Sequence, residues 1–181
     1  MSQHVFLWIM DKAVLAILIG VVSNGMFLYI MSRFKPKIEI SSTIAHGADT
    51  VSGKSIYRIK VINRTKSPIV DIRAQLHIFK MHQTATGEIY KSKAVGLQRA
   101  DPIVFDKYDK CDKDANYAYR FVTYDNLETL WGNDNVQFLR FRIYARHSVS
   151  GFGTFASKDY RLKRNSIKEG EFSKGDTFEI A

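Results

Sequence analysis

Apolar positions along this chain follow two different rhythms. Residues 13–31, AVLAILIGVVSNGMFLYIM, carry no charge. As a helix these about 19 residues span roughly 28 Å, close to the ~30 Å hydrocarbon thickness of a bilayer. The run predicts a transmembrane helix over 13–31. In the N-terminal segment 1–12, residues 5–10 are also apolar, but Asp11 and Lys12 interrupt the run. HVFLWIM, with Trp8, therefore reads as a short lead-in lying in the membrane interface. A basic collar, SRFKPK, occupies 32–37, and beyond it the period shortens to two.

In IVDIRAQLHIFK, Val70, Ile72, Ala74, Leu76 and Ile78 share one side of an extended chain, and Asp71, Arg73, Gln75 and His77 share the other. VQFLRFRIYAR (136–146) sets Leu139, Phe141, Ile143 and Ala145 against Arg140, Arg142, Tyr144 and Arg146. SIYRIKVIN (55–63), YAYRFVTY (117–124) and GTFASKDYRL (153–162) read as further strands. NRTKSP (63–68) supplies a turn closed by Pro68. DNLETLWGND (125–134) predicts one short helical turn, capped by Asp125 and ended by Gly132. SKGDTFEI near the C-terminus predicts a final edge strand. About seven to nine short strands separated by turns predict a mainly β fold. The expected architecture is a single N-terminal transmembrane helix followed by an immunoglobulin-like β-sandwich over 38–181.

Charge adds an orientation and a class of partner. The formal net charge is +9, with Asp11 and Lys12 as the only charges ahead of the collar. Arg33, Lys35 and Lys37 on one flank outweigh Lys12 on the other, which predicts a single-pass inner-membrane protein with its C-terminal domain in the cytoplasm. That orientation leaves the Asn63-Arg64-Thr65 glycosylation sequon idle. Basic excess points to an anionic partner. The collar residues Arg33, Lys35 and Lys37 are predicted to meet anionic lipid headgroups, at about 1 kcal/mol each. Arg140, Arg142 and Arg146 are the candidate anion-binding face. They lack the aromatic-plus-glycine signature of an RNA-binding sheet, which disfavours nucleic acid. Ser23 and Asn24 fall at mid-span, where polar side chains favour helix association or a lumen, so a homo-oligomer is expected.

Residues that carry chemistry are scarce. The single cysteine, Cys111, excludes an intramolecular disulfide and a cysteine-based zinc site. His147 and Ser148 are neighbours, which point to opposite faces of a strand and suit no nucleophile–base pair. His77 and His82 lack metal-ligand partner spacing. Asp106, Asp109, Asp112 and Asp114 alternate with Lys107, Lys110 and Lys113 and lack the glycine and terminal glutamate of a calcium loop. They read as a solvated loop. Nucleophile-elbow, P-loop and dinucleotide motifs are missing. The expectation is a protein that is not an enzyme, with no catalytic residues, metal or cofactor.

The order of the segments resembles a known family. An apolar helix, then SRFKPKIEIS, YRIKVINRTKSPIVDIRAQLHIF, GLQRADPIVF and LRFRIYARHSVSGFG is similar to the inner helix and cytoplasmic domain of inward-rectifier potassium channels, the bacterial ones especially. YRIKVINRTKSPIVDIRAQL looks like that family's strand pair around a polar turn, and IYARHSVSG like its late strand. The resemblance implies an immunoglobulin-like cytoplasmic sandwich, tetrameric assembly, and a collar that couples anionic lipid to gating. It also implies a limit. The family's outer helix, pore helix and T-x-G-[YF]-G filter have no counterpart here, and filter carbonyls are what select potassium. The expected function is an ion-channel-like or accessory subunit that works beside a channel or transporter subunit. The alternatives are a membrane-disrupting effector of bacterial antiviral defence, triggered by a nucleotide ligand, and an anchored adaptor for a partner protein.

Overall fold

The computed structural model describes residues 3–49, 53–85 and 87–181. Residues 1 and 2 of the predicted N-terminal segment lie outside them. Helix α1 (Gln3–Ser32) is continuous, so the lead-in and the predicted span form one rod. Lys12 Nζ lies 5.8 Å from the Trp8 ring centroid, an i,i+4 cation–π contact that keeps the charge on the helix surface. Met10–Met31, 22 residues, is long and apolar enough to cross a membrane, and none of its most apolar window is buried against the rest of the chain. Its apolar surface is therefore not part of the sandwich core.

The remainder is mainly β. The strands are β1 (Ile38–Ile40), β2 (Ile44–Ala48), β3 (Ser55–Asn63), β4 (Ile69–Thr84), β5 (Gly87–Val95), β6 (Val104–Phe105), β7 (Ala118–Thr123), β8 (Gln137–His147), β9 (Gly153–Tyr160) and β10 (Ile167–Glu169). Two one-turn helices, α2 (Leu127–Leu130) and α3 (Lys163–Ser166), precede β8 and β10. In the first sheet β3 pairs antiparallel with β7 and, along its two halves, with β1 and β2; β10 joins β2 in parallel. The second sheet runs β5-β4-β8-β9, all antiparallel, with β6 beside the start of β4. Tyr57, Ile59, Val61 and Phe121 from the first sheet share one buried core with Leu76, Ile78, Leu139, Phe141 and Ile143 from the second. The Phe121 and Phe141 rings meet across the layers at 5.3 Å. Trp131 and Leu127, from α2 and its end, belong to the same core.

Several expectations need correction. Among the described residues there are ten strands, because short pieces such as β6 and β10 are too brief to show a period. Val70 is not on the core face of β4. Ile69 pairs with His147 and Val70 with Arg146, but Arg73 then pairs with Tyr144, so two residues oppose one. This bulge flips the facing of everything upstream, burying Ile69 and leaving Val70 half-buried. Its pivot, Asp71, has φ +51°, a conformation that aspartate tolerates better than most residues. The cap of α2 is Asn126, whose side chain accepts a hydrogen bond from the Thr129 amide. Asp125 instead accepts one from the Gly96 amide at 2.9 Å. The C-terminal SKGDTFEI stretch makes no edge strand; it folds back as a loop closed by a single bridge, Phe172 to Ile180.

Beyond Val95 the β4–β5 ribbon leaves the core, and β5 is exposed at every described position but that one. Lys80 stands directly opposite Lys91 there, a like-charge pair that disfavours pairing of this edge with a second copy of itself.

The interlayer makes a direct prediction. Leu76 is 1% exposed at the centre of the core. Leu76→Ala should cost about 2–5 kcal/mol, read as a shift in the urea midpoint.

Candidate functional site

Three places on this fold gather polar groups with a purpose beyond solubility. The first is the junction between α1 and the sandwich. Its anchor is the linker that follows Ser32. Pro36 is buried, and the flanking backbone is tied down at two points: the Lys37 amide donates to Thr65 Oγ1 at 2.8 Å and the Arg64 amide to the Lys37 carbonyl at 2.7 Å. On the β8–β9 side, Ser150 Oγ donates to the Phe34 carbonyl at 2.9 Å, and the Phe34 ring sits 5.9 Å from the His147 ring. His147 is 2% exposed; its Nδ1 accepts from the Ser150 amide, while its Nε2 is buried with no hydrogen-bond partner among the described residues. The turn 63–68 and the loop 148–152 thus grip the linker together. Arg33, Lys35 and Lys37 remain exposed around it. Arg33 folds back on Tyr29, its guanidinium 5.0 Å from the ring centroid.

The second is the outer face of the first sheet. Inward-facing Tyr57, Ile59 and Val61 force Arg58 and Lys60 outward, and Phe121 does the same to Arg120. The chain's own C-terminus closes this basic face. Lys60 Nζ donates to the carbonyls of Ser173, Gly175 and Thr177 at 2.7–2.8 Å. Arg120 donates to the Phe172 carbonyl, Arg58 pairs with Glu171 at 3.0 Å, and Tyr108 donates to Asp176 at 2.7 Å. Burial pushes the Lys60 ammonium down to about 8, with Arg120 adding to the fall, so at neutral pH it still carries the three protons its three acceptors use. Lys60, Arg58 and Arg120 thus hold the C-terminal segment in place.

The third is the outer face of the second sheet, where Arg140, Arg142 and Arg146 were expected to act together. The structure places all three on one face but does not give them one role. Arg140 forms a bidentate pair with Asp159, Nε at 2.6 Å and Nη2 at 2.7 Å, beneath Phe79 and Phe138. The pair holds the Asp159 carboxyl below the usual aspartate range, with the Arg140 hydrogen bonds as the main cause. Arg140 is therefore withdrawn from the anion-binding set. Arg142 and Arg146 remain, and Arg73 joins them across β4. With Asp71, Tyr144 and Phe155 they line an open cleft of about 350 Å³. The alternation already turned Arg73 outward, but only the pairing of β4 with β8 sets it opposite Tyr144 and beside Arg146. His77, on the same face, has its imidazole pKa lowered by burial and by Arg142.

Other predicted positions fall outside these sites. Ser23 and Asn24 are exposed on α1. In the aspartate loop, Asp109 and Asp112 accept hydrogen bonds from the loop's own amides of Cys111, Asp114 and Asn116, which accounts for their spacing. No protein-family model matches the chain, and no curated protein matches it in sequence. The likeness to inward-rectifier channels accordingly rests on the segments quoted above.

The Arg140–Asp159 pair carries a pH signature. The folded-state pKa of Asp159 lies below its unfolded value, so the pair's contribution is complete above the unfolded value and is lost as pH falls through the folded one. Urea midpoints of wild type and Arg140→Met should differ most near neutral pH and converge in acid.

Proposed function

We propose that this chain is a non-enzymatic, single-pass inner-membrane protein whose cytoplasmic sandwich senses a ligand and passes the result to its helix. It would act as an ion-channel-like or accessory subunit of inward-rectifier type. The observation that carries this reading is the gripped linker. A helix that only tethers a domain requires no fixed connection, whereas here Pro36 is buried and Phe34, Lys37, Thr65 and Ser150 share hydrogen bonds across the junction. A shift of the 148–152 loop would move the end of α1 directly.

The exposed collar supports contact with anionic lipid, since Arg33, Lys35 and Lys37 surround the point where α1 ends. Assembly is supported by Ser23 and Asn24 on an uncovered apolar helix, although a membrane hydrogen bond of this kind contributes only ~0.6 kcal/mol on average. The soluble domain must therefore supply most of any association energy. A tetramer is the form the resemblance favours.

Replacing Arg33, Lys35 and Lys37 together by glutamine should weaken binding of the full-length protein to anionic liposomes by roughly 3 kcal/mol, and the remaining binding should lose its salt dependence. A reporter joined after Ala181 should be active only in its cytoplasmic form. Activity on the outer side, or a strictly monomeric full-length protein in mild detergent, would count against this reading.

A further inference from the structure

The cleft on the outer face of the second sheet has the composition of a ligand site. Arg142 and Arg146 stand two residues either side of Tyr144 on β8, and Arg73 lies directly opposite Tyr144 on β4. Side chains directly opposite lie about 5 Å apart at Cβ, and diagonal ones roughly 7–8 Å, so Arg73 and Arg146 can converge on one small anion; Arg142 stands ~13 Å along β8 from Arg146 with its guanidinium over Phe79, and joins them only by swinging off that ring. Arg142 has no carboxylate partner among the described residues; its guanidinium lies over Phe79, 5.6 Å from the ring centroid. The single carboxylate in the cleft is Asp71, at 3.4 Å from Arg73 and 3.6 Å from Arg146. Both distances are long for charge-assisted hydrogen bonds, and one carboxylate does not neutralise the three cations that line the cleft. Asp71 is held at this spot by the positive φ of the bulge.

The remaining walls are aromatic. Phe155 faces Tyr144 across β9 and is 62% exposed. Tyr144 lies down along the sheet over Gly153. A Cβ on Gly153 would come within 2.6 Å of the Tyr144 hydroxyl, so glycine is what allows the ring to lie flat. In that pose the Tyr144 oxygen accepts from Arg146 Nε at 3.0 Å, which fixes the guanidinium.

We propose that this cleft binds a phosphorylated ligand that carries a flat ring. Phosphoryl oxygens engage Arg73, Arg142 and Arg146 through forked guanidinium contacts, and the ring lies against Phe155. Asp71 is the internal anion that the ligand displaces. A volume of about 350 Å³ suits a ligand of mononucleotide size. Arg146 directly precedes His147, so occupation of the cleft acts one residue from the junction with α1. The proposal rests on the sensing reading only for that consequence; binding itself is read separately.

Isothermal titration of the folded full-length protein with ATP, inorganic pyrophosphate and a short-chain phosphatidylglycerol tests it. ATP should saturate and bind more tightly than pyrophosphate. Arg142→Gln should weaken ATP binding on the order of tenfold or more, with partial recovery in Arg142→Lys. Phe155→Ala should erase the preference for ATP over pyrophosphate. Asp71→Asn should tighten ATP binding, because asparagine keeps the positive φ but removes the competing charge. A purely structural role for Asp71 would not produce that gain, so this variant decides the matter even if Arg142→Gln fails to fold. Absence of saturable ATP binding, or ATP affinity unchanged in both Arg142→Gln and Asp71→Asn, overturns the proposal. Stronger binding of phosphatidylglycerol than of ATP also overturns it, by moving the phosphate source to a lipid headgroup. Normal ATP binding in a protein whose reporter faces outward would refute the sensing reading and leave this site standing.

Discussion

The contact between Phe121 and Phe141 across the two sheets sets the terms for the rest of the domain. Both rings are buried, and they hold β7 and β8 face to face. Because strand residues alternate, burying these two turns Arg120 outward on one side and Arg140 and Arg142 outward on the other. The sandwich therefore has to manage a cationic surface on each of its outer faces. It does so in two different ways.

On the first sheet the chain closes its own charge. Lys60, Arg58 and Arg120 hold the C-terminal segment through backbone carbonyls and Glu171, so their basicity is consumed in folding. On the second sheet only Arg140 is closed, by Asp159. Part of the basic excess is thus structural, part is the exposed collar beneath the helix, and part lies in one partly neutralised cleft.

The helix junction and the cleft lie close together along β8. His147 ends β8, supports Phe34 and contacts Ser150, whose hydroxyl reaches the linker. The β4 bulge lies on the neighbouring strand at the same level, since Ile69 pairs with His147 just ahead of it. One bulged residue therefore brings a buried contact beside the junction and a charged side chain into the cleft.

Much of this was legible in the chain itself. A run of residues without charge long enough for a bilayer, and period-two alternation over 70–78 and 139–145, follow from solvent preference alone, which acts residue by residue. Ile72, Leu76, Phe141 and Ile143 are buried as that alternation requires. The outward facing of Arg140, Arg142 and Arg146 was legible for the same reason. Their division of labour was not. Which arginine meets a carboxylate depends on the register between strands, which sets Arg140 opposite Asp159, and on the bulge that brings Asp71 to Arg73 and Arg146. The bulge at Asp71 was hidden because nothing in IVDI marks an inserted residue; the partner strand sets it. Likewise Lys60 reads as one more strand lysine until the tail arrives, more than a hundred residues later, to cover it. Hydrophobic periodicity is a local property and survives reading in one dimension, whereas charge pairing is decided by proximity that only the folded chain creates.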